Sequence, residues 1–312
     1  MIGIDLGGTS VKMALVSKIG EVLELWSIPT DIRNQGKQII PDIVQSIFEN
    51  LDKNNLTTSD ILGIGMGSPE QIDYQHGTVC GAYNLGWDEI QEVRDQFEKE
   101  FSLPFLIEND ANVAALGERW KGAGEDAQDV IFITLGTGVG GGIIASGNLL
   151  RGVSGSAGEV GHMPIPGNPF TCTCGNVGCL ETVASATGIT NIALKLFETN
   201  TEPTSLYEFI KTNNVTAKEI FDAAKNGDSF ANKIVKTYSN YLGTSLAQLA
   251  NALNPSYIVI GGGVSAAGEF LLTNVKKEFN RYAFPTVRRS TELKLATLGN
   301  VAGVIGAASL LL

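Results

Sequence analysis

Apolar residues alternate with polar or small residues at the start of the chain, and this pattern predicts three short strands. They cover residues 1–6, 11–16 and 22–26, with tight turns at Gly-Gly-Thr and at Lys18-Ile-Gly-Glu. Apolar side chains then recur at helical spacing over residues 38–51. The first part of the chain is therefore expected to be a strand hairpin, a third strand and a helix.

The rest of the chain alternates further strands with helices, which indicates an α/β protein. The predicted strands are 61–66, 105–107 and 257–260, and the predicted helices are 88–101, 111–120, 180–197, 217–225 and 230–253.

The opening pattern recurs in the middle of the chain. IGIDLGGTSVKMALVS, from Ile2, aligns with IFITLGTGVGGGIIAS, from Ile131, so that Ile, Leu, Gly and Ser return 129 positions later. Two related glycine-rich hairpins, each at the head of one half, favour an internal duplication. Because no Pro- or Ser-rich linker separates the halves, we expect a cleft between them.

The composition of the chain excludes several classes of partner and location. With 43% apolar and 18% charged residues the chain is globular, and its net charge of -11 argues against nucleic-acid or anionic-membrane partners. The start carries neither a basic nor a long apolar segment, so no secretory signal is predicted. Three of the four cysteines lie within eight residues, which does not suit a disulfide framework, and a cytoplasmic location is expected.

The glycine loops are interpreted from the residues that come directly after them. Gly136-Thr-Gly matches a dinucleotide loop only weakly, because the next segment is a strand and not a helix, and a P-loop is absent. Either loop alone is most simply an ordinary hairpin turn. Two related loops, together with Gly261-Gly-Gly after a buried strand, favour a cleft in which backbone N–H groups hold the phosphates of a nucleotide.

Two aspartates stand at predicted strand ends. Asp5 precedes the first glycine turn and either holds Mg²⁺ against phosphates or caps the turn. Asp110 lies between a strand and a helix, and it is either a helix N-cap or a carboxylate that accepts the proton of a substrate hydroxyl. Both alternatives stay open for each residue.

The strongest local signal is a cluster of metal-binding residue types, His162, Cys172, Cys174 and Cys179. Three thiols and one imidazole are a ligand set of closed structural Zn²⁺ sites. The C-x-C-x₄-C spacing is not that of a zinc finger, and a reduced loop without metal is the alternative. We favour zinc, because the thiols of so small a cluster would otherwise be exposed and reactive.

Seven motifs occur in a characteristic order: DLGGT, GSP, NLGW, ENDAN, LGTGVGGG, EVGH and CTCGNVGCLE. In this order the chain resembles the ROK family (repressors, open reading frames, kinases), and most of all its bacterial glucokinases, over essentially its whole length. The resemblance implies an actin-like, hexokinase-type (ribonuclease H-like) duplicated two-lobed fold. Its small lobe would be residues 1–109, joined by a C-terminal helix at about 300–312, and its large lobe residues 110–299, with the zinc loop.

The resemblance also implies the site residues, with Asp110 as the catalytic base. The implied sugar ligands are Gly67, Asn84, Asn109, Asp110, Glu159, His162 and Glu181. The implied contacts to ATP and Mg²⁺ are Asp5, Gly7, Gly8, Thr9, Lys12, Thr137, Gly138, Gly262 and Gly263. The implied zinc ligands are His162, Cys172, Cys174 and Cys179. One departure is Glu70, where the family usually has glycine.

The expected function is ATP-dependent phosphorylation of the 6-hydroxyl of glucose, with Mg²⁺ and a structural Zn²⁺. The alternatives are a kinase for N-acetylmannosamine or fructose, a sugar-responsive regulator and a non-catalytic actin-like assembly protein. Because the first strand begins at Met1, a helix-turn-helix ahead of it is not expected. A homodimer is a family expectation.

Overall fold

A computed structural model describes residues 1–312. The thirteen strands are β1 (Ile2–Leu6), β2 (Ser10–Val16), β3 (Val22–Pro29), β4 (Ile64–Ser68), β5 (Gln71–Asp73), β6 (Thr78–Cys80), β7 (Gln91–Glu92), β8 (Phe105–Asn109), β9 (Val130–Leu135), β10 (Val139–Ala145), β11 (Asn148–Leu149), β12 (Tyr257–Gly261) and β13 (Glu292–Leu295). The eleven α-helices are α1 (Ile39–Lys53), α2 (Val93–Phe101), α3 (Asp110–Lys121), α4 (Glu181–Ala184), α5 (Ala186–Phe197), α6 (Tyr207–Lys211), α7 (Ala217–Lys225), α8 (Ser229–Leu253), α9 (Glu269–Tyr282), α10 (Pro285–Ser290) and α11 (Ala302–Ser309).

Two five-stranded sheets with the same topology form the framework. Their orders are β3-β2-β1-β4-β8 and β11-β10-β9-β12-β13, and in each the first strand pairs with the hairpin strand antiparallel and with the next strand parallel. Shifting β2 by 129 positions gives the bounds of β10. The predicted duplicated, two-lobed α/β fold is confirmed.

Each sheet has its own hydrophobic core. Ile4, Ile43 and Phe97 belong to the core beside the first sheet, and Leu246 and Ile258 to a larger core beside the second. We call the parts built on these sheets the first and second lobes. Separate cores allow the lobes to move as units about the segments that join them.

Helices α3 and α11 pack against each other, and α11 also packs on β1, β4 and β2, while α3 reaches β9 and β10. Glycines allow the backbone of α11 to lie directly against the backbones of α3 and β1. A Cβ on Gly306 would overlap the carbonyl of Val113, and one on Gly3 would overlap the carbonyl of Val304. The pair α3 and α11 therefore joins the lobes through backbone contact that larger residues would prevent.

The predicted strands and long helices are present, with three differences of detail. The strand predicted at 61–66 lies at 64–68. The helix predicted from residue 88 begins at Val93, because Gln91 and Glu92 pair with β6 instead. The helix predicted over 180–197 is interrupted at Ser185, whose extended backbone and hydroxyl cap the next helix at the N–H of Gly188 (2.9 Å). The small sheet β5-β6-β7 and the elements α6, α9, α10 and β13 were not predicted.

Candidate functional site

The first lobe brings three parallel strand ends to one edge. In the register of the sheet Asp5 of β1 pairs with Gly67 of β4, and Gly67 pairs with Glu108 of β8. Asn109 is the next residue, opposite Ser68. Ligands of α/β sheets bind at the carboxyl ends of such strands, so this edge is a candidate binding crevice.

Asp110 is the first residue of α3, and the helix does not need it as a cap. Asn109 is the N-cap: its Oδ1 accepts hydrogen bonds from the backbone N–H groups of Ala111 (2.9 Å) and Asn112 (3.3 Å). Asp110 Oδ1 accepts a bond only from the adjacent N–H of Ala111 (2.7 Å). The alternative in which Asp110 serves as the N-cap is therefore wrong, and its carboxylate is available for chemistry.

The Asp110 side chain is open to solvent in the crevice, while protein atoms surround it on most sides. This loss of hydration raises the pKa of Asp110 to about 6, and the charges of Asp5, Glu70 and Glu159 act in the same direction. The N–H of Ala111 acts in the opposite direction. A carboxylate with a pKa near 6 is mostly ionised at pH 7 and takes up a proton more readily than an ordinary aspartate.

The first glycine turn joins β1 to β2 and is held from both sides. The N–H of Gly7 donates to the carbonyl of Ser10 (3.1 Å), and the hydroxyl of Thr30 donates to the carbonyl of Gly7 (2.6 Å). Gly8 lies against the backbone of Asn84, so a predicted nucleotide residue and a predicted sugar residue are neighbours. Thr9, beside them, is exposed at the tip of the turn.

The second glycine turn joins β9 to β10 at the matching place in the second lobe. A Cβ on Gly138 would come within 2.7 Å of Glu181 Oε2, and Thr137 is exposed beside it. Gly262 follows the neighbouring strand β12 with a φ of 83°, and any Cβ there would overlap the backbone of Leu135. Glycine is thus required at Gly262, while Gly263 faces open space.

The predicted sugar residues of the second lobe lie beside the cysteine cluster. His162 Nε2 is 3.8 Å from Glu159 Oε2, and His162 Nδ1 is 3.6 Å from Cys172 Sγ. The Cys172 thiol donates to Glu181 Oε1 (2.9 Å). His162 thus turns one ring nitrogen to the cluster and the other to Glu159.

The cluster has the dimensions of a tetrahedral metal site. One ligand atom from each of His162, Cys172, Cys174 and Cys179 lies within 4.8 Å of the others, and Cys174 Sγ is 3.7 Å from Cys179 Sγ. Four ligands at zinc–ligand distances of about 2.0–2.3 Å would be separated by roughly 3.5–4 Å. Burial raises the pKa of Cys172 to about 12, so its thiolate needs a cation nearby. The residues present fit Zn²⁺.

Comparison with known proteins identifies the family of this chain. The model of the ROK family matches residues 1–312. The chain belongs to the ROK family. A glucokinase of Halalkalibacterium halodurans is 47% identical to this ROK protein over 98% of the chain and 92% of the relative. A xylose repressor of Caldicellulosiruptor bescii is 32% identical over 98% of the chain and 76% of the repressor.

A solved structure of a ROK family glucokinase from Streptomyces griseus, in complex with glucose and AMPPNP, has the same fold. It is 33% identical to this ROK protein, with a TM-score of 0.77, and the match covers 99% of this chain and 98% of that one.

Asp5 is the candidate Mg²⁺ ligand of this ROK protein. Burial raises the pKa of Asp5, and Lys12 Nζ, 3.7 Å from Asp5 Oδ2, only partly opposes that rise. An anion that is short of hydration and incompletely neutralised favours a divalent cation. Mg²⁺ is usually held by one or two carboxylates together with water and substrate phosphates, so a single aspartate beside a phosphate-binding turn fits it.

Three buried carboxylates of this ROK protein were missed in the sequence, those of Glu108, Glu118 and Glu278. Glu108 is 3% exposed, and Glu118 is fully buried. Glu118 accepts the backbone N–H groups of Thr297 (3.0 Å) and Leu298 (2.8 Å), which tie the segment before α11 to α3. Glu108 lies in ENDAN, from which only Asn109 and Asp110 were predicted as site residues, and no motif marks Glu118. No helix combines the length and apolar character needed to cross a membrane.

Proposed function

We propose that this ROK protein is an ATP-dependent glucokinase that transfers the γ-phosphoryl group of ATP to the 6-hydroxyl of glucose. One observation carries the proposal: Asp110 follows the carboxyl end of β8 with a raised pKa, near enough to Asp5, which precedes the first glycine turn, and to Glu159 for their charges to act on it. A proton acceptor near a phosphate-binding turn and a sugar-binding carboxylate suits phosphoryl transfer to a hydroxyl. The glucokinase relatives support glucose as the acceptor.

Asp110 accepts the proton of the 6-hydroxyl as its oxygen bonds to the γ-phosphorus. The bond from that phosphorus to the β,γ-bridging oxygen breaks, and ADP leaves with the electron pair. The backbone N–H groups of the turns at Gly8–Thr9 and Thr137–Gly138, with Lys12, hold the phosphates in line. Asp5 would hold Mg²⁺, which neutralises phosphate charge when bound.

The sugar ligands combine acceptors with groups that both donate and accept. Asn84 and Asn109 present amides, Glu159 and Glu181 present carboxylates, and His162 presents Nε2. Sugar hydroxyls donate and accept at once, so this mixture suits a neutral hexose. A zinc ion held by the cysteine cluster would fix the segments that carry Glu159 and Glu181.

A coupled ADP-release assay over a panel of hexoses tests the substrate, with the product identified by ³¹P NMR. Glucose should exceed N-acetylmannosamine and fructose in kcat/KM, and the product should be the 6-phosphate. A panel in which either competitor is preferred contradicts the glucose assignment and leaves a sugar kinase.

A sugar-responsive regulator is the second candidate, and the similarity to a xylose repressor over 98% of the chain favours it. Both classes bind a sugar in the crevice, but only the kinase turns it over. Binding of glucose without ADP release at saturating ATP and Mg²⁺ would favour the regulator.

A homodimer and a cytoplasmic location complete the proposal. The lobe boundaries 1–109 with 300–312, and 110–299, belong to it as well. Sedimentation velocity measures the oligomeric state, and limited proteolysis locates the boundaries.

A further inference from the structure

An arginine of the second lobe reaches a buried carboxylate of the first. Arg151 follows β11, and its Nε donates to Glu108 Oε2 at 2.5 Å. Glu108 Oε1 accepts the N–H of Asn109 (2.9 Å) and the amide of Asn112 (3.0 Å). The Glu108 side chain is 3% exposed and that of Arg151 31% exposed, so water screens this pair far less than a surface pair.

The same guanidinium stacks on Tyr74, with its central carbon 4.7 Å from the ring centroid. The small sheet β5-β6-β7 is part of the first lobe, because Ile72 and Val79 lie in the core of that lobe. Tyr74 lies in the turn between β5 and β6. Arg94 fixes this turn by donating to the carbonyls of Tyr74 (2.8 Å) and Gln75 (2.5 Å). Arg151 thus contacts the first lobe at two places, Glu108 and Tyr74, and further hydrogen bonds fix each of them.

Arg151 begins a loop, residues 151–158, that lies between the lobes. The N–H of Ala157 donates to the carbonyl of Arg151 (3.0 Å) and closes the loop. Gly155 approaches the first lobe so closely that a Cβ there would be 3.1 Å from the carbonyl of Ile72. The loop ends directly before Glu159, while Val153 in its middle is fully exposed.

We propose that Arg151 is a positioning residue whose ion pair with Glu108 locks the two halves of the sugar site together. Glu108 directly precedes Asn109 and Asp110 on one lobe, and the loop of Arg151 leads to Glu159 on the other. The pair therefore sets the distance between the base and the sugar-binding carboxylate. The inference rests on the proposed function for its kinetic consequence and on geometry alone for the contact itself.

The contact is tested without any activity, because Arg151 is the only tryptic site in the loop. In the native protein the paired guanidinium is not free to enter the specificity pocket of trypsin. Glu108→Gln removes the charge that holds it and should speed cleavage of the Arg151–Gly152 bond at least about tenfold under native conditions. Equal cleavage rates in the two proteins would overturn the contact as a lock.

Steady-state kinetics test the positioning role. The double variant Glu108→Gln/Arg151→Met leaves no unpaired buried charge, and it should raise KM for glucose about tenfold, with KM for ATP within about twofold. Arg151→Lys keeps the charge and should recover most of the affinity. A merely structural role would lower the melting temperature and leave KM for glucose unchanged, and that result overturns the proposal.

Arg119→Met is the matched control. Arg119 is a half-buried arginine whose side-chain partners are both close in sequence: Asp126, at 3.2 Å, and the carbonyl of Ala127, at 2.8 Å. Its loss should leave KM for glucose unchanged. If the wild-type protein phosphorylates no hexose, the proposed function fails, while the cleavage assay still decides for or against the lock.

Discussion

Replacement of Asp110 by asparagine separates catalysis from stability. The change keeps the size of the side chain and its acceptor for the N–H of Ala111 but removes its basicity. Loss of a general base costs about 10²–10⁴ in rate, so kcat should fall by at least a hundredfold. Because Asn109 caps α3, the helix should not be weakened.

The same replacement should stabilise the fold, because partial loss of hydration in the crevice raises the pKa of Asp110 from 3.8 to about 6. Between about pH 4 and 6 the folded state holds a proton that the unfolded chain has lost, so the wild type loses stability as pH rises through this window. Unscreened, the full shift corresponds to about 3 kcal/mol. Solvent in the crevice screens the charge, and we expect a gain of about 1 kcal/mol for Asp110→Asn at pH 7.

The raised pKa of Asp110 also predicts how strongly kcat/KM depends on pH. A base with a pKa of about 6 is ionised to about 90% at pH 7 and to about 10% at pH 5, so kcat/KM of the wild type should fall about tenfold between them. The assays are ADP release and thermal unfolding across pH 4–8. Asp95→Asn is the control, since Asp95 is an exposed acid in the first turn of α2.

Asp110 is not the base if Asp110→Asn retains more than about a tenth of kcat while remaining folded. A wild-type kcat/KM that stays constant down to pH 5 would also show that Asp110 is not the base, because no base with a pKa near 6 would then limit the reaction.

Three single positions give further predictions. Gly306→Ala should lower the free energy of unfolding, measured in urea, by about 3 kcal/mol or more, because the new methyl group overlaps the carbonyl of Val113. A decrease below about 1 kcal/mol would show that α11 can move aside. Glu70 has a φ of 69°, so Glu70→Gly should relieve backbone strain and stabilise the protein by about 0.5–1 kcal/mol. Because the charge of Glu70 raises the pKa of Asp110, both Glu70→Gly and Glu70→Gln should shift the acid limb of kcat/KM to lower pH, and Glu70→Gln should do so without the gain in stability. An acid limb that does not move contradicts the charge effect on Asp110. Cys174→Ala should lower the melting temperature, release bound zinc and raise KM for glucose, whereas metal analysis that finds no zinc in active wild-type protein refutes the structural role.

Local sequence alone determined the repeated hairpins and the long helices. Each hairpin depends on a turn that only a few residue types allow, as at Gly7-Gly8-Thr9, and each helix depends on apolar spacing within one segment. The duplication was visible for the same reason, because β1 and β2 reappear in β9 and β10 at a fixed offset. The cysteine cluster was equally local, since three of its four ligands lie within eight residues.

Contacts between distant segments were decided only by the tertiary structure. Asp110 was ambiguous in sequence, and the capping bonds of Asn109 removed its structural role. The pair of Arg151 and Glu108 joins residues 43 positions apart. No local pattern marks such a pair, because its stability comes from burial that exists only once the two lobes have met.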